Sequence, residues 1–199
     1  IYVYTNKNLK SRRLEVKVRD DLGIKQKHLT KNEVLELEPN LNPVFDAGIF
    51  YEDSMHAKDP HGILKSIFEL FLKKGGNFIQ ENVTSLKQTE VNETLIQTNS
   101  GDHKFEKTVI ASGAFSKELT DQLDENIPLD TERGYHVHFE SKKNLITRPV
   151  IFLDRGFGMT PMNQGLRAVG TVELGGLKNP PSKKRINYII SCAKELLPQ

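Results

Sequence analysis

Apolar residues recur with helical spacing in three segments of the chain. In residues 9–22 they lie four positions apart and predict a helix on the surface of the protein. Residues 59–76 begin with Asp59 and Pro60, a favourable helix start, and end with two glycines that stop a helix. The predicted buried stripe of this helix consists of Ile63, Leu64, Ile67, Phe68, Phe71 and Leu72. Ser182 precedes the third helix, whose predicted inward residues are Ile186, Ile189, Ile190, Ala193 and Leu197.

Strands are predicted where apolar residues alternate with polar ones or cluster between turn residues. The alternation is clearest over residues 133–140, where Tyr135 falls on one face and His136 and His138 on the other. Further strands are predicted around residues 1–5, 47–51, 78–86, 95–96, 105–111, 150–153, 157–161 and 166–173. Thr30, followed three residues later by Glu33, predicts a capping box and a short helix that ends before Pro39.

The stretch KTVIASGAFS, residues 107–116, predicts a short buried strand that runs into a tight turn. Its small residues, Ala111, Ser112, Gly113 and Ala114, allow a ligand to approach the backbone closely. Ligands of α/β enzymes collect at the carboxyl ends of such strands. The alternative is a strand-to-helix connection that binds no ligand.

Composition indicates an ordinary globular protein. Of 199 residues, 37% are hydrophobic and 27% are charged, and the net charge of +2 gives no indication of nucleic-acid binding. The single cysteine, Cys192, cannot form an internal disulfide and is interpreted as a buried structural thiol in a reducing compartment. The sequence has no apolar run long enough to span a membrane and no signal-peptide pattern.

Several segments resemble, in the same order, the D-amino-acid oxidase and dehydrogenase family of FAD-dependent oxidoreductases. They are DPHGILKSIFELFLKKGG, NFIQENVTSLKQTE, TLIQTNSGDHKFEKTVIASGAFS and TPMNQGLRAVGTVELGG. The resemblance implies an α+β fold in which a mixed or antiparallel sheet forms a substrate-binding domain. That domain is expected at residues 1–60 and 128–179. Residues 61–127 and 180–199 are expected to form part of an FAD-binding α/β domain that lacks its dinucleotide-binding N-terminus.

The resemblance also implies roles for particular residues. Val83, Ala111, Ser112, Gly113 and Ala114 are expected to run along FAD. Arg167 is expected to hold a substrate carboxylate through its guanidinium group, with Tyr135 and His56 lining the pocket. Each substrate-side residue has an alternative interpretation: a surface charge for Arg167, core packing for Tyr135 and a solvated loop histidine for His56.

The family's cofactor carries the difficult chemistry, so no catalytic side chain is predicted. His136 and His138 lack further residues at ligand spacing, and no metal site is predicted. Gly156-Phe157-Gly158 lacks the third glycine of a dinucleotide fingerprint, and Gly-x-Gly-x-x-Gly occurs nowhere in the sequence. We therefore expect the chain to be an internal fragment that binds FAD weakly or not at all and is inactive alone.

The function that the resemblance implies is FAD-dependent oxidation of an amino acid amine, with a D-amino acid dehydrogenase favoured. The alternatives are a glycine, sarcosine or hydroxyproline oxidase of the same superfamily, and a non-catalytic binding module or subunit. The expected partner is a small amino acid substrate, whereas the electron acceptor and a homo-oligomeric state are left open. A cytoplasmic location is expected, with peripheral association at the inner face of the membrane left open.

Overall fold

The computed structural model describes residues 1–6, 13–91, 93–141 and 145–198. The chain forms two compact units. The first unit consists of Ile1–Ile63, Arg133–Glu173 and Pro180–Gln199. The second unit consists of Leu64–Glu132 and Leu174–Asn179.

Strands and helices follow one another with short connections. In chain order they are β1 (Tyr2–Tyr4), α1 (Arg13–Asp21), β2 (Lys27–Thr30), α2 (Lys31–Leu37), β3 (Ala47–Phe50), α3 (Pro60–Lys73), β4 (Val83–Gln88), β5 (Thr94–Thr98), β6 (Asp102–Phe105), α4 (Ser116–Thr120), β7 (Arg133–Glu140), β8 (Val150–Phe152), β9 (Phe157–Met162), β10 (Gly165–Glu173) and α5 (Lys183–Leu196). Short 3-10 turns occur at Gly113–Phe115, Asp121–Leu123 and Leu153–Arg155.

The first unit is built on a seven-stranded mixed sheet in the order β2-β3-β1-β8-β9-β10-β7. All neighbouring strands are antiparallel except β1 and β8, which run parallel. This arrangement confirms the predicted α+β class with a mixed sheet.

Helix α5 packs on one face of this sheet, against β7, β9 and β10. The core includes Val150, Met159 and Ala168 from the sheet and Ile189 from the helix, each with no measurable exposure. Cys192 lies in the same core as a free thiol, which confirms the structural interpretation of this residue. The sequence had grouped residues 180–199 with the FAD-binding part, whereas their apolar face is buried against this sheet. The assignment of a substrate-binding and an FAD-binding role to the two units stays a prediction.

The predicted capping box is confirmed at the start of α2. The Thr30 side chain accepts a hydrogen bond from the Glu33 backbone N–H, and the Glu33 carboxylate accepts one from the Thr30 backbone N–H. The helix ends at Leu37, and the side chain of the next residue, Glu38, is almost fully buried.

The second unit contains a three-stranded antiparallel sheet in the order β4-β5-β6, with most of α3 and the short α4. Among its described residues, Leu86 is the single buried hydrophobic side chain. The prediction of a buried stripe on α3 is therefore wrong, because every residue of that stripe is exposed. The helical spacing correctly predicted the helix, but burial also requires a neighbouring element, and none of the described elements covers this face.

The prediction of a strand at Val109–Ala111 is also wrong, because these described residues form no strand. Residues 107–112 have no regular structure, and Val109 is 87% exposed. The predicted turn does follow, since Gly113 has φ +54 and opens a 3-10 turn. Phe78 and Ile79 likewise lie outside β4, which begins at Val83. An apolar run becomes a strand only where another strand supplies hydrogen-bond partners, and none of the described strands does so here.

None of the helices in the described parts of the chain combines the length and the apolar composition needed to cross a bilayer.

Candidate functional site

Arg167 lies on the face of the seven-stranded sheet that is opposite the core. Its neighbours Leu166 and Ala168 are buried, and alternation along β10 directs the Arg167 side chain to the other face. In the register of the sheet it stands beside Thr160 of β9 and His138 of β7. We call this face, opposite helix α5, the open face.

The Nε atom of Arg167 is buried and has no hydrogen-bond acceptor among the described residues. A buried N–H donor without an acceptor costs roughly 1–3 kcal/mol, and more where the group is charged. An unpaired guanidinium nitrogen is therefore suited to an acceptor supplied by a ligand. This placement agrees with the expected carboxylate-binding role, which stays a prediction.

A cavity of about 460 Å³ opens in the first unit next to Thr160. Its walls are formed largely by aromatic and aliphatic side chains, with a few polar groups. Its lining includes Tyr2, Arg19, Phe50, Tyr51, His56, Arg148 and Thr160. The volume lies within the range of small-molecule sites, roughly 300–1,000 Å³.

Arg19 of α1 stacks on two tyrosine rings at one end of this cavity. Its guanidinium carbon lies 5.8 Å from the centroid of the Tyr2 ring and 5.6 Å from that of Tyr51. The two rings contact each other edge to face, with centroids 5.0 Å apart. The Tyr51 hydroxyl donates to Gln26 Oε1 at 3.1 Å, and burial raises the pKa of Tyr51. This network fixes the position of the guanidinium group.

Arg148 enters the cavity from the segment that precedes β8. Its Nε donates to Glu38 Oε1 at 3.1 Å, and its backbone N–H donates to the same oxygen at 3.0 Å. Thr147 donates its backbone N–H to both Glu38 oxygens at 3.0 and 2.9 Å. The Glu38 side chain is 1% exposed, so a buried carboxylate with several donors holds the arginine in place.

His56 belongs to the loop after β3 and lines the cavity. Its expected role in the substrate pocket stays a prediction. The loop is joined to the β9–β10 turn by a hydrogen bond from the Asn163 backbone N–H to the Lys58 carbonyl at 3.1 Å. The Nε2 atom of His56 is buried and has no partner among the described residues. His56 and Arg167 thus lie on the same side of the first unit, with Thr160 touching the cavity and flanking Arg167. Arg167 itself does not line the cavity.

Tyr135 lies on the opposite face from Arg167. Its ring is 7% exposed in the hydrophobic core, and its hydroxyl donates to Glu173 and accepts from the Ser182 backbone N–H at 2.9 Å. This position favours the core-packing interpretation, and the role of Tyr135 in lining the substrate pocket stays a prediction. The alternation along β7 had already separated Tyr135 from His136 and His138.

The residues predicted to run along FAD belong to the second unit. Residues 111–114 are exposed, have small side chains and lie outside both sheets, so their backbone is accessible to a large ligand. A Cβ atom added at Gly113 would meet no atom within 4 Å. Val83 begins β4 opposite Thr98 and is 38% exposed. These features fit a bound dinucleotide, although no hydrogen bond between described residues joins Val83 to residues 111–114.

Sequence reasoning missed Arg19, Arg148 and Glu38. Arg19 lies in a charged helix, Glu38 stands before Pro39 at the end of a short helix, and Arg148 stands in the mostly apolar segment LITRPVIF. Arg19 and Arg148 line one cavity, and Glu38 is bonded to Arg148 outside that lining. The parallel pairing of β1 with β8, which are far apart in the chain, brings these segments together. No local sequence signal identifies such a pairing.

Comparison with known proteins places these observations in a family. A sequence profile described as FAD dependent oxidoreductase, DAO, matches residues 1–199. The chain belongs to this family. Its membership confirms the resemblance on which the sequence-based predictions were built, and FAD is the cofactor that the family uses.

The DAO family relatives include a D-amino-acid oxidase from Bradyrhizobium diazoefficiens, 31% identical over 173 residues that make up 87% of this chain and 41% of the oxidase. A D-amino acid dehydrogenase from Vibrio atlanticus is 26% identical over 209 residues, covering 98% of this chain and 48% of that protein. The chain thus spans about half the length of these curated relatives.

Among solved structures, glycine oxidase from Bacillus cereus ATCC 14579 superposes with a TM-score of 0.83. The match covers 99% of this chain and 54% of the glycine oxidase, at 24% sequence identity. At this identity the likeness shows that the two proteins share the DAO fold.

Proposed function

We propose that the complete protein is an FAD-dependent enzyme that oxidises the amine of an amino acid, with a D-amino acid as the favoured substrate. The supporting observation is the buried Nε of Arg167, which has no acceptor among the described residues. The D-amino-acid oxidase from Bradyrhizobium diazoefficiens, 31% identical to this chain, supports the choice of substrate class.

In this proposal Arg167 binds the substrate carboxylate through two parallel N–H donors, which fixes the orientation of the α-carbon. His56, in the neighbouring cavity wall, donates or accepts a hydrogen bond through Nε2, according to its tautomer. The small, exposed residues Ala111–Ala114 and Val83 would hold FAD. Bound FAD would supply the acceptor for the hydride of the α-carbon, and hydrolysis of the resulting imine in water would give a 2-oxo acid and ammonia.

Anaerobic reduction of the flavin tests the proposal in the purified complete protein. D-amino acids are expected to bleach the flavin absorbance, whereas their L-isomers leave it unchanged. Reduction by glycine or sarcosine alone would favour the second candidate, an oxidase of the glycine type, which the fold of the Bacillus cereus enzyme also accommodates. A protein that binds no flavin would contradict both.

An Arg167→Met variant tests the carboxylate-binding role. Loss of a charge-assisted hydrogen bond is expected to lower the efficiency of flavin reduction by about 10- to 100-fold. Arg185→Met is the matched control, because Arg185 belongs to α5, which packs on the other face of the sheet. Equal efficiency in the two variants would overturn the role assigned to Arg167.

The electron acceptor of the reduced flavin is a separate question within the same proposal. The two curated relatives described above are named an oxidase and a dehydrogenase. Hydrogen peroxide formation during turnover in air would establish oxygen as the acceptor. Turnover that requires an added quinone would establish the dehydrogenase, which is the activity favoured from the sequence.

A further inference from the structure

The cavity beside Thr160 is lined by two arginines, whose carboxylate partners, Glu38 for Arg148 and Glu15 for Arg19, lie outside its lining. Arg19 and Arg148 both line it, and its described lining contains no aspartate or glutamate side chain. Phe50 and the two tyrosines supply apolar surface around these cations. A cavity of this composition favours an anionic ligand with an aliphatic or aromatic body.

The hydrogen bonds of Arg148 leave one edge of its guanidinium group unused. Glu38 engages Nε and the backbone N–H, while the terminal nitrogens donate to no acceptor among the described residues. The guanidinium carbon lies 5.7 Å from the centroid of the Phe50 ring. Stacking occupies a face of the planar group and does not use the N–H donors at its edge. The buried carboxylate of Glu38 thus pre-orients a donor pair for a ligand.

Arg19 is held in a comparable way at the same cavity. Its planar group stacks on Tyr2 and Tyr51, and its ion pair is a 3.6 Å contact with Glu15, whose side chain is 51% exposed. A solvent-exposed ion pair of this length contributes little, roughly 0–1 kcal/mol, and competes weakly with a ligand carboxylate. Arg19 is therefore held by two aromatic rings and a weak, exposed ion pair, whereas Arg148 is held by Phe50 and by its buried ion pair with Glu38.

The cavity adjoins Arg167, the proposed carboxylate-binding residue, through a shared neighbour in the sheet. Thr160 lines the cavity and stands directly opposite Arg167 in the β9–β10 pair. Side chains opposite each other in an antiparallel pair have Cβ atoms about 4.5–5.5 Å apart. A ligand whose α-carboxylate contacts Arg167 can therefore extend past Thr160 into the cavity.

We propose that Arg19 and Arg148 bind a second, side-chain carboxylate, so that the substrates are acidic amino acids such as glutamate. This inference rests on the proposed function and specifies its substrate class. A neutral side chain of the same size would fill the cavity and leave both guanidinium groups without an anion, which makes it the weaker ligand.

The test compares glutamate with glutamine, its neutral isostere, in the flavin-loaded complete protein. In whichever configuration reduces the flavin, glutamate is expected to be preferred by at least about ten-fold in the ratio of reduction rate to dissociation constant. Arg19→Gln and Arg148→Gln are each expected to lower this ratio towards one. Arg185→Gln, on α5, should retain it. A ratio near one in the unmodified protein would overturn the inference while leaving the proposed function intact.

Direct binding separates this inference from failure of the proposed function. If no amino acid reduces the flavin, calorimetric titration with glutarate and with pentanoate still probes the cavity. Tighter binding of the dicarboxylate, lost in Arg19→Gln, would support the site. Among the described residues, the ion-pair partner of Arg19 is Glu15, whereas that of Arg148 is the buried Glu38. Arg19→Gln therefore avoids the loss of stability that Arg148→Gln can cause. Equal binding of the two acids would overturn the inference.

Discussion

At the scale of single residues, Glu38 joins the stability of the first unit to the geometry of its cavity. Its carboxylate is 1% exposed and accepts hydrogen bonds from Thr147 and Arg148. Removing it leaves these donors, including a charged guanidinium group, without their acceptor. Residues of this kind stabilise a fold and orient a binding group at the same time.

Substitution of Glu38 tests the structural part of this argument. Glu38→Ala is expected to lower the free energy of unfolding by about 3–5 kcal/mol, because it breaks a buried ion pair on one side. Glu36→Ala is the matched control on the exposed side of the same segment and should change stability by less than about 0.5 kcal/mol. Urea denaturation followed by circular dichroism measures both. Equal losses would show that the burial of Glu38 contributes nothing.

Glu81, in the second unit, makes the stability of the fold depend on pH. Thr98 donates its hydroxyl to Glu81 Oε2 at 2.6 Å, and His103 lies 2.8 Å from the same oxygen. The hydrogen bond from Thr98, followed by that from His103, lowers the pKa of Glu81. A carboxyl with a lowered folded-state pKa stabilises the fold above its unfolded-state value, and this contribution is lost as the pH falls through the folded-state value.

Titration by NMR of the Glu81 carboxyl carbon measures this shift. Thr98→Ala is expected to raise the pKa of Glu81 towards its ordinary value by more than His103→Ala does, because the Thr98 bond is the larger cause. Glu81→Gln should remove the corresponding acid-side loss of stability. If neither substitution moved the pKa of Glu81, the hydrogen bonds would not be its cause.

At the scale of elements, helix α3 shows what amphipathic spacing does and does not establish. Ile67 is 60% exposed, and none of the described elements covers the apolar face on which it lies. Exposed apolar patches of this kind usually mark a surface that another segment or molecule covers. The helix is therefore specified locally, whereas its burial is not.

Substitution on this face of α3 tests whether the face is buried. In the chain of residues 1–199, Ile67→Glu is expected to change the free energy of unfolding by less than about 0.5 kcal/mol. Leu86→Ala, at the buried position of the same unit, should lower it by about 2–5 kcal/mol. Urea denaturation of both variants provides the comparison. A loss of unfolding free energy above about 2 kcal/mol for Ile67→Glu would show that this face is buried, as the sequence predicted.

The difference between local patterns and non-local contacts explains which features could be predicted from the sequence. The capping box at Thr30 and the alternation over residues 133–140 depend on positions within a few residues, and both features are present in the structure. The strand predicted at Val109 required a partner strand, and the Arg19–Arg148 cavity required the pairing of β1 with β8. Non-local pairing is set by the whole fold, so neither outcome could be predicted from residue spacing.

At the scale of the whole molecule, the two units differ in how much apolar surface they bury. The core of the first unit extends across the whole sheet, from Leu29 on the edge strand β2 to Tyr135 on the edge strand β7, and includes residues of α5. Within the described residues of the second unit, Leu86 is the single buried hydrophobic side chain. Since apolar burial is the main favourable term in folding, the second unit should open at a lower free energy than the first.

Native-state hydrogen exchange at increasing urea concentration measures these openings. Backbone amides of β8, β9 and β10 are expected to exchange through openings at least about 2 kcal/mol costlier than those of β4, β5 and β6. Leu86→Ala should lower protection in the second unit alone, whereas Met159→Ala should lower it in the seven-stranded sheet. Equal protection in both units, with the same dependence on urea, would mean that they unfold as one cooperative body. In that case, burial within each unit would not decide its stability.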